Sequence, residues 1–296
     1  MIPGRAPQPL GDPQPLGPPQ PLDAPAPIPA YSMRARLPLP IWYAYRAVRT
    51  VFVASAFAGF WMGAVLLAWL VLPVVAALSR DRRRACQRVV ARAFRLFHGY
   101  MRGLRLVNVR VIGRLPEDLE GRPVVFIANH TTLVDVTAIF SRVPDLCCIA
   151  KATYASNPFV GRLLSLCGFI DAGSGGATVT EATRRLEEGF RVLVFPEGSR
   201  SPEGSLHPFH RGAFEIACRA NVPLVPLVLR CNPSALRRGQ RFWAHPDECA
   251  QLTIEIDGAI EPAKFAHKSR RMRQAVEDHY RSRLSLVVGP RPAKSW

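Results

Sequence analysis

An uncharged apolar run from Val51 to Leu78 constrains this chain more than any other feature of its sequence. The run, VFVASAFAGFWMGAVLLAWLVLPVVAAL, contains 28 residues without a charge. A helix of about 20 residues crosses a hydrocarbon core of ~30 Å, so this run is long enough to span with some tilt. It is too long, and lies too far from the start, for a cleavable signal peptide. The sequence therefore predicts a membrane-embedded segment over residues 41–80.

The orientation of this segment is left open by its flanking charges. Arginines stand on both sides of the apolar run, so the positive-inside rule is nearly balanced. The flanking residues are Arg34, Arg36, Arg46 and Arg49 before the run and Arg80, Arg82, Arg83 and Arg84 after it. A segment that crosses the bilayer fits this pattern. A segment that dips in and returns, bending at Gly59, Gly63 or Pro73, fits it as well.

The overall charge points to an anionic partner. The chain has 39 Lys and Arg against 22 Asp and Glu, a formal charge of +17. Such a balance suits a phospholipid surface, a nucleic acid, or an acidic carrier or substrate. Much of the basic excess stands beside the membrane segment, and no zinc-finger or aromatic-interleaved RNA-binding motif occurs, so we expect membrane lipids and no nucleic acid as partners. The seven cysteines form no C-x-x-C pair, so we expect reduced cytosolic thiols and no metal site.

The first forty residues have the composition of a disordered tail. Residues 1–40 hold 13 of the 28 prolines and repeat PQPL three times. A segment of this kind favours extended conformations and buries too little apolar area to fold. We interpret it as a flexible tail, or as an upstream extension with translation beginning at Met33.

A basic amphipathic helix is predicted directly after the membrane segment, over residues 81–105. Its apolar residues follow one another at spacings of four, three, four and three, which makes one helical stripe. They are Val90, Phe94, Phe97, Met101 and Leu104, with Arg88, Arg95 and Arg102 spaced by seven away from them. This pattern, beside a bilayer, predicts a helix on an anionic lipid surface. The alternative is a helix packed on the catalytic core with a solvated arginine face.

The rest of the chain alternates between predicted strands and helices, which indicates an α/β layered sheet with flanking helices. Strands are predicted at 106–113, 123–129, 147–151, 168–172, 191–198, 222–229 and 252–260. Helical stretches include ATVTEATRRLEEG and RGAFEIACRAN, the second ending at Asn221. We expect a catalytic domain at 106–265, followed by a helix and tail at 266–296.

Two polar clusters follow predicted strands, where α/β domains carry their reactive groups. The first is IANHTTLVDV, in which Asp135 stands five residues after His130. A carboxylate across such a turn can bind one ring nitrogen and leave the other free to take a proton. A histidine that merely caps a helix is the alternative. The second cluster is FPEGSRS, which offers a glutamate, a glycine and an arginine suited to anionic oxygens.

Together these motifs resemble the glycerophospholipid acyltransferase family of the 1-acyl-glycerol-3-phosphate type. The resemblance covers roughly residues 110–260. The family's N-H-x4-D motif is matched by Asn129, His130 and Asp135, F-P-E-G-[TS]-R-S by Phe195 to Ser201, and V-P-[IVL]-[IV]-P by Val222 to Pro226. A family-like FHRGAF also appears at Phe209 to Phe214.

The resemblance implies a membrane-bound enzyme that moves a fatty acyl chain from an acyl thioester to a hydroxyl of a lysophospholipid or related lipid. Acyl-CoA or acyl-carrier protein would be the co-substrate, and no further cofactor is implied. An imidazole can deprotonate the attacking hydroxyl at neutral pH, which makes His130 the general base and Asp135 its orienting partner. Substrate contacts are expected at Glu197, Gly198, Ser199 and Arg200, with Lys151 and Arg211 as further cations.

Several points of mechanism stay open in the sequence. We expect backbone N–H groups to stabilise the developing oxyanion, either those near Gly198 or those at the helix start after His130. No G-x-S-x-G elbow occurs, so Ser199, Cys147 and Cys148 are the candidates for a covalent route. A buried thiol in an apolar strand is more often inert.

Two departures from the family pattern concern the acceptor. The family's F-I-D-R arginine, associated with the acceptor phosphate, is replaced by Ala172, and the glutamate of K-x-E-L by Thr153. The loss of a guanidinium predicts weaker recognition of lysophosphatidate and a preference for another lyso-lipid. A non-phosphate acceptor, such as a lyso-aminolipid or aryl-polyene lipid, stays open. So does a non-catalytic lipid-binding protein on the same fold.

Overall fold

The protein is described here by a computed structural model. It describes residues 37–157, 160–173, 175–202, 204–241 and 244–284. The predicted tail falls outside these residues up to position 36, and so does the end of the predicted C-terminal segment, from position 285. The limits predicted for the individual domains stay predictions.

A seven-stranded sheet forms the centre of the fold, in the order β1-β7-β6-β2-β5-β3-β4. Each strand overlaps one predicted from the sequence, which confirms the α/β layered class. All neighbouring strands run parallel except β6 and β7, which pair antiparallel. The strands are β1 Val107–Ile112, β2 Val125–Ala128, β3 Leu146–Ala150, β4 Ile170–Asp171, β5 Arg191–Val194, β6 Leu224–Asn232 and β7 Ala250–Ile256.

Helices cover both faces of the sheet and bury two apolar layers against it. The helices are α1 Leu39–Leu66, a π-helical turn Leu67–Val71, α2 Leu72–Leu78, α3 Arg82–Gly103, α4 Asp135–Phe140, α5 Ala152–Ala155, α6 Gly161–Leu166, α7 Gly176–Glu187, α8 Gly212–Ala220 and α9 Ser269–Arg283. One layer packs under α2, α3 and α4. The other packs under α7, α8 and α9. Asn221 ends α8 in the left-handed conformation, as the sequence predicts.

The predicted membrane segment is helical throughout. From Leu39 to Leu78 it is long and apolar enough to cross a membrane, and 22% of its most apolar stretch is buried inside the protein. The helix continues without interruption through Gly59 and Gly63. The π-helical turn precedes Pro73, whose ring supplies no backbone N–H to an α-helical ladder. An apolar face stays exposed along the helix, and it includes Phe57, Met62, Leu66, Trp69 and Leu70.

Polar contacts fix the start of α1 to the loop that precedes β7. Arg46 binds the carboxylate of Asp247 at 2.9 Å and the carbonyl of His245 at 2.6 Å. Arg49 donates to the carbonyls of Arg105 and Glu248. The start of α1 is therefore tied to the domain that contains the seven-stranded sheet.

The amphipathic helix α3 uses its apolar stripe to pack on the core of the sheet domain. Val90 and Met101 are fully buried in the core, and Phe94, Phe97 and Leu104 pack against it. The interfacial prediction is therefore wrong for this stripe, because its apolar residues are covered by protein rather than by lipid. The opposite face remains exposed, and it includes Arg88, Leu96 and Arg102.

Candidate active site

Two adjacent parallel strands bring the two polar clusters together. Ile127 of β2 pairs with Val194 of β5, so both strands end at the same edge of the sheet. His130 follows β2 by two residues, and Glu197 follows β5 by three. The carboxyl edge of a parallel sheet is where α/β proteins place their ligands. The motifs predicted from sequence thus meet at one site.

His130 and Asp135 form the predicted pair. The Nδ1 atom of His130 lies 2.9 Å from Oδ2 of Asp135, whose side chain is fully buried while that of His130 is 19% exposed. The same carboxylate accepts hydrogen bonds from the N–H groups of Thr131, at 2.6 Å, and Thr132, at 2.7 Å. It also accepts from the Thr132 hydroxyl. With Nδ1 engaged, Nε2 is the ring nitrogen left to exchange a proton.

The ring of His130 is also held by its packing and by its own backbone. It stacks at a tilt on Phe195, with 4.4 Å between ring centroids. Its N–H donates to Oε1 of Glu197 at 2.7 Å, and its carbonyl accepts from the N–H of Ser201 at 3.1 Å. The segments that follow β2 and β5 are therefore joined by two hydrogen bonds, one donated from each segment.

Asn129 explains the first position of the N-H-x4-D motif. Its side-chain amide accepts from the N–H of Leu229 at 2.7 Å and donates to the carbonyl of Leu229 at 2.9 Å. The buried amide thus continues the hydrogen-bond ladder between β2 and β6 after the main chain of β2 has turned away. This contact fixes the point at which His130 leaves the sheet.

Glu197 is a buried carboxyl with three hydrogen-bond donors. It is 3% exposed, and besides the N–H of His130 it accepts from the Ser201 hydroxyl and from the N–H of His207, at 3.2 Å. Burial raises its pKa to about 8, while the N–H groups of His130 and His207 pull the pKa down. Both oxygens are occupied within the protein. The carboxyl therefore holds the site together, and its predicted contact with substrate stays a prediction.

The other predicted substrate residues lie around this centre. Gly198 has a positive φ of 66°, and a Cβ there would meet the His210 ring at 3.3 Å, so the turn requires glycine. Half-buried Arg200 donates to the carbonyl of Leu236 at 3.2 Å, and Ser199 is half-buried beside it. Lys151 is exposed at the start of α5. Arg211 is 62% exposed beside Glu215. The substrate contacts of all these residues stay predictions.

A cavity of about 220 Å³ opens next to His130. Its walls come from the His130 turn, the segment after β5, the end of β6 and the loop that follows β6. Among the predicted site residues, His130 and Glu197 line it. Arg230 and Arg237 also line it, and sequence reasoning missed both. The signal for Arg237 was a basic stretch, LRRGQR at residues 236–241, which begins four residues after β6 ends. Arg230 lies within β6 and stands outside this stretch.

The N–H groups expected to stabilise an oxyanion are already engaged. Those of Thr131 and Thr132 donate to Asp135, and that of Leu133 donates to the carbonyl of Leu236 at 3.0 Å. The N–H of Gly198 donates to the carbonyl of Phe195 at 3.0 Å. In this structure the expected N–H donors therefore form hydrogen bonds with acceptors of the protein itself.

The paired cysteines have the properties of inert core residues. Cys147 and Cys148 lie buried on β3. Burial raises the pKa of the Cys147 thiol to about 11 and that of Cys148 further still. Within the part of the chain that the structure describes, no three His, Cys, Asp or Glu side chains come together as a metal site would require.

Comparison with known proteins agrees with this geometry. A family model described as Acyltransferase matches residues 107–230. The mouse 1-acyl-sn-glycerol-3-phosphate acyltransferase alpha is 31% identical over 216 residues, which is 71% of this chain and 72% of the mouse protein. The chain belongs to the glycerophospholipid acyltransferase family. It is an O-acyltransferase, and the non-catalytic interpretation is set aside.

Two further relatives extend the family assignment. The 1-acyl-sn-glycerol-3-phosphate acyltransferase of Saccharomyces cerevisiae is 31% identical over 198 residues, covering 64% of this chain and 61% of its own length. The crystal structure of the 1-acyl-sn-glycerophosphate acyltransferase PlsC from Thermotoga maritima superposes with a TM-score of 0.65. At 22% identity it covers 81% of this acyltransferase and 96% of its own chain, which shows the shared fold.

Proposed function

We propose that this acyltransferase moves a fatty acyl chain from an acyl thioester to the free hydroxyl of a 1-acyl-glycerol-3-phosphate, with His130 as general base. The names of the mouse and yeast relatives support the acceptor class. Acyl-CoA or acyl-carrier protein serves as donor, and no further cofactor takes part. The observation that carries the proposal is the 2.9 Å contact between His130 Nδ1 and buried Asp135.

The chemistry follows from the proton path that this contact leaves open. Nε2 of His130 takes the proton of the acceptor hydroxyl while the oxygen attacks the thioester carbonyl. Asp135 stabilises the imidazolium and fixes the ring orientation. The tetrahedral intermediate then collapses, the C–S bond breaks, and the imidazolium returns the proton to the leaving thiolate. The products are an ester and a free thiol, with no acyl-enzyme.

The membrane is the place where donor and acceptor meet. The acceptor is a lipid, and the helix Leu39–Leu78 carries an exposed apolar face suited to a bilayer. Thioester donors are cytosolic, so the catalytic domain faces the cytoplasm, at the inner membrane in a Gram-negative bacterium. Protection of this domain from external protease in intact spheroplasts is the expected result, and digestion from outside would contradict it.

Thiol release from a long-chain acyl thioester tests the reaction. We expect the detergent-solubilised full chain to release thiol when lysophosphatidate is added. His130→Ala should lower the rate by about 10² to 10⁴-fold and leave folding intact. Near-normal turnover in a folded His130→Ala protein would refute the general base.

The acceptor is tested in the same assay with a panel of lyso-lipids that includes a neutral one. Ala172, which stands in place of the family's arginine, makes this panel necessary. It lies exposed directly after the edge strand β4. A strong preference for a neutral acceptor would show that lysophosphatidate is not the substrate. The reaction class, acyl transfer from a thioester to a hydroxyl, would stay the same.

A further inference from the structure

A second cavity, of about 380 Å³, lies away from His130, toward the amino ends of β2 and β5. Its walls include Phe126 of β2, Leu227 of β6, Ile254 of β7 and, from α4, Ile139. Among the described residues, none lines both this cavity and the one beside His130. Ligand pockets in proteins usually have volumes of about 300 to 1,000 Å³, so this cavity has the size of a small-molecule site.

A buried cation stands at one end of this cavity. Arg191 begins β5, lines the cavity and is 7% exposed. It stands two residues before Leu193, which pairs with Phe126 of the neighbouring strand. Side chains two residues apart share one face of a sheet, and each such step is about 6.6 Å long. Arg191 therefore lies one step before Phe126 on the same face.

The apolar wall continues away from this cation across the next two strands. Leu227 pairs with the residue one step beyond Phe126, which is Ala128. Ile254 pairs with Leu229, which stands one further step along β6. Three steps therefore lead from the cation to Ile254, roughly 20 Å along the strand direction. The cavity has a charged end and a long apolar wall, the two parts that an amphiphile requires.

The charge of Arg191 is not matched by an acid of the described protein. Its Nε donates to the carbonyl of Arg122 at 3.3 Å, and its terminal nitrogens have no hydrogen-bond partner among the described residues. The carboxylates of Asp145 and Glu120 act on it from beyond ion-pair distance, and Asp145 is bound to Arg84. Burial lowers the pKa of Arg191 more than these carboxylates raise it. Because buried charges in proteins are normally paired, this guanidinium is suited to an additional anion.

Arg142 adds a second cation to the lining of the same cavity. It follows α4 and donates to the carbonyl of Ala138, at 3.0 Å, and to the hydroxyl of Ser141, at 2.9 Å. Both of these acceptors are neutral. Among the described residues that line the cavity, the acid is Glu120, which is exposed. Two arginines against one glutamate leave a single net positive charge.

We propose that this cavity binds the anion of a free fatty acid, with the carboxylate on Arg191 and Arg142 and the acyl chain along the apolar wall toward Ile254. A carboxylate matches the single net charge, whereas a phosphate monoester carries about two negative charges. A guanidinium also binds both oxygens of a carboxylate through parallel N–H donors. The site lies apart from His130 and requires no acyl transfer, so it goes beyond the proposed function.

A ligand at this site would join two elements that carry the active site at their other ends. The helix α4 begins at Asp135 and is followed by Arg142. The strand β5 begins at Arg191 and leads to Phe195, whose ring stacks on that of His130. A carboxylate held by both arginines connects the two elements at the amino edge of the sheet. Since a ligand that binds only the folded state stabilises it, the Tm should rise with fatty acid concentration.

The test compares two ligands that differ in their charge. Full-length protein in lipid nanodiscs is titrated with decanoate and with decanamide, its neutral counterpart, and empty nanodiscs serve as the blank. We expect decanoate to raise the Tm and to bind at least about tenfold more tightly than decanamide. Arg191→Gln should weaken decanoate binding by about ten- to a hundredfold, the usual effect of losing one charge-assisted contact, and spare decanamide. Arg191→Lys should recover part of the loss.

Arg122→Gln is the matched control. It removes the same charge from a side chain that is 60% exposed and does not line the cavity, and it keeps the carbonyl that accepts from Arg191. We expect it to leave decanoate binding unchanged. The same loss in both variants, no loss in Arg191→Gln, or equal affinities for decanoate and decanamide would overturn the assignment. If Arg191→Gln does not fold, Arg142→Gln, at an exposed side chain, carries the same test.

Covalent mapping locates the bound chain. Decanoate with a photoreactive diazirine at its terminal carbon should label peptides that contain Leu227 or Ile254, and excess decanoate should prevent the labelling. Labelling confined to the surroundings of His130 or to the apolar helix would overturn the assignment.

Lysophosphatidate is the third ligand of the comparison. Tighter binding than decanoate, weakened by Arg191→Gln, would assign the cavity to a phospholipid and overturn the choice of a carboxylate. None of these measurements uses an acyl thioester. A protein that binds decanoate through Arg191 but transfers no acyl chain would therefore refute only the proposed function.

Discussion

The backbone N–H of His130 donates a hydrogen bond of 2.7 Å to the side chain of Glu197, across the junction of two parallel strands. Two residues 67 positions apart in the chain are thereby fixed against each other. The glutamate of the F-P-E-G motif acts on the histidine of the N-H-x4-D motif through the main chain. The two motifs therefore form one structural unit, which holds the ends of β2 and β5 together.

Replacement of Glu197 should therefore affect kcat more than KM. Glutamine keeps an oxygen for the N–H of His130 but turns an amide toward the donors Ser201 and His207. We expect Glu197→Gln to lower kcat by about ten- to a hundredfold, since small misplacements of a catalytic group cost that much. KM for lysophosphatidate should change little. A higher KM with an unchanged kcat would instead assign Glu197 to substrate binding.

The stability of the protein should fall as pH rises toward 8. Burial raises the pKa of Glu197 to about 8 in the folded protein, above the ~4.3 of an unfolded glutamate. The folded state then binds this proton more tightly, so its stabilising effect is complete below about pH 4.3 and is lost as pH passes about 8. Urea unfolding between pH 5 and 9 should show this decline in wild type and not in Glu197→Gln. Parallel curves for the two proteins would contradict the shift.

Asp135 should matter for stability as well as for catalysis. Its carboxylate binds the N–H groups of Thr131 and Thr132 and the Thr132 hydroxyl in addition to His130. Asparagine offers one acceptor oxygen, so Asp135→Asn should lower the free energy of unfolding by about 1 to 3 kcal/mol. His130→Ala removes one of these partners and should cost less. Chemical unfolding checks the order, which would be wrong if His130→Ala proved the less stable variant.

Tyr280 should stabilise the sheet at the foot of the active site. It is fully buried on α9, and its hydroxyl lies 2.8 Å from the carbonyl of Ile127 and 3.1 Å from the N–H of Leu227. The hydroxyl accepts from the Leu227 N–H on β6 and donates to the Ile127 carbonyl on β2, so it bridges the two strands. We expect Tyr280→Phe to lower the free energy of unfolding by about 1 to 3 kcal/mol. Tyr154→Phe, at an exposed side chain, is the control and should be neutral.

The strands and the catalytic pair could be predicted because their signals are local. Apolar runs bounded by turn residues marked all seven strands, and each polar motif stands directly after its strand. Chain order alone did not predict that β2 and β5 are neighbours. It was the family resemblance that joined His130 to Glu197. No local feature of the sequence predicts the antiparallel pairing of β6 with β7, because that pairing depends on where the rest of the sheet leaves room for β7.

Features that depend on long-range contacts were missed or misjudged. The stripe on α3 has the periodicity of a lipid-facing helix, but a protein core and a bilayer favour the same apolar residues. The sequence around Arg237 is an ordinary basic stretch. Only the fold of the loop after β6 brings this residue to the cavity beside His130. The hydroxyl of Tyr280 acquires its role only because α9 places it between Ile127 and Leu227, which lie 153 and 53 residues away in the chain.

The hydrogen bonds that hold His130 and Asp135 come from the turn at residues 130–135, whereas the loop after β6 supplies part of the wall of the cavity beside them. The two parts of the site therefore belong to separate stretches of the chain. Codon changes in that loop can alter the shape and charge of the space next to the imidazole while the proton-transfer machinery stays as it is.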